Sequence, residues 1–170
     1  MKKPDTELKP EALSEEEQFR SARKKAMNLL LYSDRTEQQL REKLVSLGFS
    51  PRAIDDAVAY VKSYHYLDDR RYAENFLRNR KDQKSLSEIR LLLSSRGISR
   101  EILDELMEED ADEGEKDTVK KLFLKKYAGK DLADPSVYQK AFRYLSGKGF
   151  QYEDIRTGIE EALEELEHKD

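Results

Sequence analysis

The stretch Leu44-Val45-Ser46-Leu47-Gly48-Phe49-Ser50-Pro51-Arg52-Ala53-Ile54 decides the fold, because the chain makes this turn three times. Gly48, Gly97 and Gly149 each follow a leucine four positions back (Leu44, Leu93, Leu145) and precede a large apolar residue (Phe49, Ile98, Phe150). Apolar residues recur six positions on, at Ile54, Leu103 and Ile155, and ten positions on, at Val58, Met107 and Ile159. Glycine tolerates the left-handed conformation that ends a helix. Ser50 and Ser99 are good N-caps, and Pro51 suits the first helical position, where its missing N–H costs nothing. The pairs Phe49/Ile54, Ile98/Leu103 and Phe150/Ile155 then read as hydrophobic staples across helix–turn–helix junctions. Gln151 is the poorest of the three caps. The glycines stand 49 and 52 residues apart, which defines an internal repeat of about fifty residues.

Working outward, the rest of each repeat follows. In the first, Phe19, Ala22, Ala26, Leu29 and Leu30 have helical spacing, and Thr36 with Gln39 forms a capping box before Leu40, Leu44 and Leu47. In the second, Asp68 is the expected cap before Tyr72, Ala73, Phe76 and Leu77, and Ser85 with Glu88 repeats the capping box. In the third, Val119, Leu122, Phe123 and Tyr127 mark the first helix, and Pro135 opens the second. Period-two alternation and hairpin dipeptides are missing. The expected fold is all-α, an elongated curved array of three tandem three-helix repeats. The expected boundaries are a flexible acidic tail over 1–18 and repeats over 19–66, 67–113 and 114–170, with Ala111 to Gly114 as a linker.

Composition limits the function. Of 170 residues, 40% are charged and 37% hydrophobic, a balance that favours a surface-rich array over one large core. No apolar run approaches the roughly 18 residues of a membrane span, and the acidic start lacks a secretory h-region. Cysteine is absent, which excludes disulfides and fits a reducing cytoplasm. The two histidines, His65 and His168, make no catalytic or metal-binding motif, and His65 beside Tyr64 and Tyr66 reads as a packing residue. Ser146-Gly147-Lys148-Gly149 resembles a fragment of a phosphate loop but follows a helix, so it reads as a helix end. No enzymatic activity and no cofactor is expected.

Net charge is −4, but its distribution is uneven. Residues 20–61 carry eight bases and five acids, and residues 70–100 carry nine and three. Residues 101–117 carry one and ten, residues 118–150 eight and two, and residues 151–170 two and eight. In the second and third repeats the first two helices are therefore basic and the third acidic. A ligand senses charge within about 8–10 Å at physiological salt, so such stripes suit a polyanion or an acidic protein groove.

Tyr66-Leu-Asp-Asp-Arg-Arg-Tyr-Ala-Glu74, with Arg96-Gly-Ile98 downstream, resembles the central signature of the RecX regulatory proteins. Ala26-Met-Asn-Leu-Leu-Leu, Arg35-Thr-Glu-Gln-Gln-Leu-Arg-Glu-Lys-Leu44 and Gly48-Phe49 resemble their first repeat. The resemblance spans about residues 20 to 163 and departs before Ile89, where Ser85-Leu86-Ser87 replaces an expected glycine and basic residues. It implies a cytoplasmic, non-enzymatic modulator of the RecA recombinase in DNA repair and recombination; a monomer is expected. Such a protein lies in the groove of the RecA–DNA filament and touches single- or double-stranded DNA weakly. Candidate contacts in the matched region are Arg35, Arg41, Arg70, Arg71, Arg78, Arg80, Lys81 and Lys84, with Lys120, Lys121, Lys125 and Lys126 in the third repeat. The alternative is a free-standing nucleic-acid-binding helical repeat module.

Overall fold

The computed structural model describes residues 10–110 and 114–168, and all regular structure among them is helical. A single 3-10 turn, Pro10–Ala12, precedes α1 (Glu15–Tyr32), α2 (Glu37–Ser46) and α3 (Pro51–Ser63). The second repeat holds α4 (Asp69–Arg80), α5 (Leu86–Ser95) and α6 (Arg100–Asp110); the third holds α7 (Lys116–Tyr127), α8 (Pro135–Gly147) and α9 (Tyr152–Glu167). The fold is three tandem three-helix repeats. Most of the linker, and residues 1–9 of the tail, lie outside the described residues.

α1 begins four residues earlier than the apolar spacing suggests. Ser14 and Glu17 form a full capping box, Ser14 N donating to Glu17 at 2.9 Å and Glu17 N to Ser14 Oγ at 3.3 Å. The last four residues of the expected tail are thus helix, because a cap acts locally and needs no apolar stripe.

The glycine turns have the expected geometry. Gly48, Gly97 and Gly149 take φ of 86°, 85° and 87°. Phe49 N bonds Leu44 O at 3.3 Å and Gly48 N bonds Val45 O at 2.9 Å, the paired bonds of a Schellman motif. Gly149 and Phe150 repeat it on Ser146 O and Leu145 O. All six staple residues are buried. Ser50 caps α3, Asp134 caps α8 with Pro135 at its first position, and Gln151 makes no side-chain cap bond.

His65 departs from the sequence reading. It is exposed, not packed, and takes φ of 58°. His65 N bonds Lys62 O at 2.9 Å and Tyr66 N bonds Val61 O at 3.0 Å, so α3 closes with the same motif as α2 but without a glycine. No glycine marked this turn; only Leu67 beyond it is buried, which fixes where the chain re-enters.

The described residues form two compact units: 10–72 with 96–98, and 73–95 with 99–110 and 114–168. The first unit is centred on Ala22, Ala26, Leu40, Leu44, Ala53, Ile54, Ala57, Val58 and Val61. In the second, Val119, Phe123, Ala141, Leu145, Ile155, Ile159 and Ala162 form the third repeat's core. Within the first unit Glu15 pairs with Arg52 and Arg23 with Asp56, so α1 and α3 run side by side in the same direction. Lys116–Glu161 and Lys120–Glu165 show the same for α7 and α9.

Candidate interface

In each repeat, acids on the third helix pair with bases earlier in the same repeat. In the first, Arg23 grips Asp56 through two bonds of 2.6 and 2.7 Å, and Arg41 meets Asp55 at 2.7 Å. In the second, Arg90 pairs with Asp104, and Lys81 with Asp110 at 3.3 Å. In the third, Lys116 pairs with Glu161 at 2.8 Å and Lys120 with Glu165 at 2.9 Å. Hydrogen bonds from Arg23 and Arg90 hold the Asp56 and Asp104 carboxyls below their usual range. Burial works against ionisation of Glu37, yet Lys62 and Arg41 keep it low. The alternation of sign read along the chain is thus partly consumed inside each repeat.

This sorts the candidate bases. Arg35, Arg41, Arg70 and Arg71 belong to the first unit and the other eight to the second. Arg41 is held by Glu37 and Asp55, Lys81 by Asp110, Lys84 by Glu88, Lys120 by Glu165 and Lys121 by Asp82 at 3.4 Å. Arg35 is half-buried, and its Nε is buried without a hydrogen-bond partner among the described residues. Arg70 is half-buried at the start of α4. Arg71 is exposed, its guanidinium 3.4 Å from Tyr66 O. Arg78 and Arg80 are exposed, and Arg80 lies 5.8 Å from the centre of the Phe76 ring. Lys125 is exposed, and Lys126 sits 3.6 Å over the Tyr144 ring.

Lys148, a base outside that candidate set, approaches the same tyrosine at 5.2 Å. Lys140, Tyr144 and Lys148 recur every four residues on one flank of α8, a spacing visible in the sequence.

Two buried hydroxyls form matching joints, one in each unit. Thr36 and Ser85, each the cap of a second helix, are fully buried. Thr36 Oγ1 donates to Arg96 O at 2.6 Å, and Ser85 Oγ to Lys148 O at 2.6 Å. Each acceptor precedes a turn glycine of the next repeat. The first helical N–H beside each cap is also taken: Glu37 N donates to Asp69 at 2.8 Å and Leu86 N to Glu115 at 2.6 Å. Burial pushes both carboxyls above their usual range. Space is tight at both turns. A Cβ on Gly97 would lie 2.2 Å from Gln38 Oε1, and one on Gly149 2.6 Å from Ser87 Oγ. The Ser85-Leu86-Ser87 departure is therefore structural: Ser87 Oγ also donates to Gly149 O at 2.8 Å.

Among the described residues no group of three or more His, Cys, Asp or Glu could hold a metal ion, and no helix is long and apolar enough to cross a membrane.

Comparison with known proteins accounts for all three repeats. Residues 22–61 match the RecX first three-helix domain, 68–107 the second and 113–158 the third. Regulatory protein RecX of Clostridium perfringens (strain 13 / Type A) is 32% identical over 155 residues, covering 88% of this chain and 73% of the relative. That of Clostridium tetani is 29% identical over 154 residues, covering 89% and 71%. The crystal structure of RecX from Lactobacillus salivarius superposes with a TM-score of 0.74 at 24% identity, over 86% of this chain and 97% of that one, and shares the fold. With its three repeats each matched in order, the chain belongs to the RecX family of regulatory proteins.

Proposed function

We propose that this protein is a non-enzymatic regulator that lies in the groove of the RecA–DNA filament in the cytoplasm and, as a monomer, restrains recombinase activity. Family membership supports the regulatory role; the RecA filament as target follows from the motif resemblance. The observation that carries the reading is the division of the basic residues. Arg23, Arg41, Arg90, Lys116 and Lys120 are neutralised by acids of their own repeat, which leaves a surface of mixed sign with local cations such as Arg78 and Lys125. A mixed surface fits a groove walled by both protein and DNA better than it fits bare DNA, whose phosphates demand uniform positive charge.

The test is a titration of labelled single-stranded DNA with and without RecA across a salt series. Direct binding to bare DNA releases counterions, so log affinity falls with log salt by about 0.7 per phosphate neutralised. Docking on a composite groove gives tighter binding with a shallower slope. Equal affinity and equal slope for bare DNA and filament would replace the regulator with the free-standing DNA-binding module.

A further inference from the structure

We propose that Lys126 and Lys148, which lie over Tyr144, together with Lys140 four residues before that tyrosine on α8, form a phosphate track for single-stranded DNA, which names a contact within the function proposed above and rests on it.

α7 divides its lysines. Those of its first turns, Lys116, Lys120 and Lys121, are taken by Glu161, Glu165 and Asp82. Lys126, in its last turn, has no acid within ion-pair distance among the described residues, and neither has Lys148 at the end of α8. Both ammonium groups instead lie over one ring, at 3.6 and 5.2 Å from the Tyr144 centroid. The ring's negative face holds a cation without consuming its hydrogen-bond donors. Two cations on one aromatic ring repel each other, and a phosphate between them relieves that repulsion. Of the acids nearby, Asp134 faces Lys140 and caps α8 through Ser136 N at 2.8 Å, while Asp131 accepts from Ala133 N.

The track is held in place. Lys148 O receives the Ser85 hydroxyl, so the joint of this unit also fixes the residue that bears the cation. Lys140, Tyr144 and Lys148 share a flank by their spacing of four.

The opposite flank of α8 indicates the kind of nucleic acid. Tyr138 stacks on Phe142 at 6.4 Å, and Phe142 meets Tyr152 at 5.4 Å. Tyr138 and Tyr152 remain 41% and 62% exposed. Lysines on one side and open aromatic faces on the other suit a strand crossing the helix, its phosphates on the first and unpaired bases on the second. A duplex keeps its bases stacked inside and cannot use the aromatic side.

The experiment follows fluorescence anisotropy of a labelled oligothymidylate with the full chain across a salt series. Lys126→Gln with Lys148→Gln is expected to weaken binding about tenfold at physiological salt and to lower the log–log salt slope by about 1.4. Tyr138→Ala with Tyr152→Ala should weaken binding and leave the slope unchanged, since stacking releases no counterions. Lys120→Gln, whose lysine is already paired, serves as the reference and should change little. Lys126→Arg with Lys148→Arg keeps the charge and should keep the slope, so a loss caused by misfolding would appear there too. An unchanged slope in the glutamine pair, or an equal effect of Lys120→Gln, overturns the track. Duplex binding as tight as single-strand binding, or displacement by millimolar inorganic phosphate alone, overturns its assignment to single-stranded DNA. Inhibition of RecA ATP turnover by the wild-type chain reports separately on the regulator, so the track can fail while the regulator stands.

Discussion

The first and third repeats differ from the second in how their outer helices meet. α1 packs along α3 and α7 along α9 at close backbone range, whereas α4 and α6 do not approach in this way. One position that tracks this difference lies nine residues beyond each turn glycine. It holds Ala57 in the first repeat, Gly158 in the third and Leu106 in the second. A Cβ at Gly158 would lie 2.6 Å from both Lys116 O and Val119 Cγ1, so nothing larger than hydrogen fits. In the second repeat the buried Leu106 stands at this position. Glu74, Leu77, Arg78 and Lys81 of α4 face Leu106, Glu109 and Asp110 across a groove of about 180 Å³, spanned by the Lys81–Asp110 pair. Three copies of one motif therefore carry two kinds of helix packing, and the looser repeat is the one with the larger side chain at this position.

The harshest way to break this contrast is to write the second repeat's residue into the third. Gly158→Leu should cost about 3 kcal/mol or more by overpacking a closed interface, read as a fall in the denaturation midpoint. A melt like the parent's would show that α7 and α9 separate freely. Trimming the second repeat is the complementary test. Leu106→Ala should cost about 2–3 kcal/mol, because a buried leucine is lost and the open groove lets the site collapse only in part. If Leu106→Ala proves neutral, the leucine is not what props the groove.

The joints offer a finer comparison, since both units use the same device. Thr36→Val and Ser85→Ala should each cost about 1–2 kcal/mol, because each leaves a buried carbonyl, Arg96 O or Lys148 O, without its donor. Matched losses by chemical denaturation would confirm equivalent joints; a loss at Ser85 alone would show that only the second bears weight.

The smallest effect is in pH. Asp69 and Glu115 have folded pKa values raised by burial, so above their ordinary values, 3.8 and 4.5, the folded state binds more protons than the unfolded. Stability should therefore fall as pH rises through that window. Asp56, lowered by Arg23, acts in the opposite sense, and its contribution is lost as pH falls below 3.8. Asp69→Asn should flatten the upper slope and leave the acid limb in place. A pH profile identical to the parent's would remove Asp69 from the joint's energetics.

By itself the sequence determined the helices, the three glycine turns, the staples and the repeat. The turns and staples are settled locally, a cap three residues from its partner, a glycine four from its leucine and a staple pair five residues apart, and the repeat is the recurrence of those local signals. The exceptions were local too: the Ser14 cap started α1 ahead of its apolar stripe, and His65 took a glycine's place and left no glycine to read. Tertiary structure decided which cations remain available. Arg90 and Lys120 look as free in sequence as Arg78 and Lys126, yet their acids stand 14 and 45 residues away, at Asp104 and Glu165. The joints likewise span 60 and 63 residues, from Thr36 to Arg96 and from Ser85 to Lys148. A side chain's partner across such distances depends on how helices pack, which is set by volumes such as that of Leu106 against Gly158, and no local signal carries it.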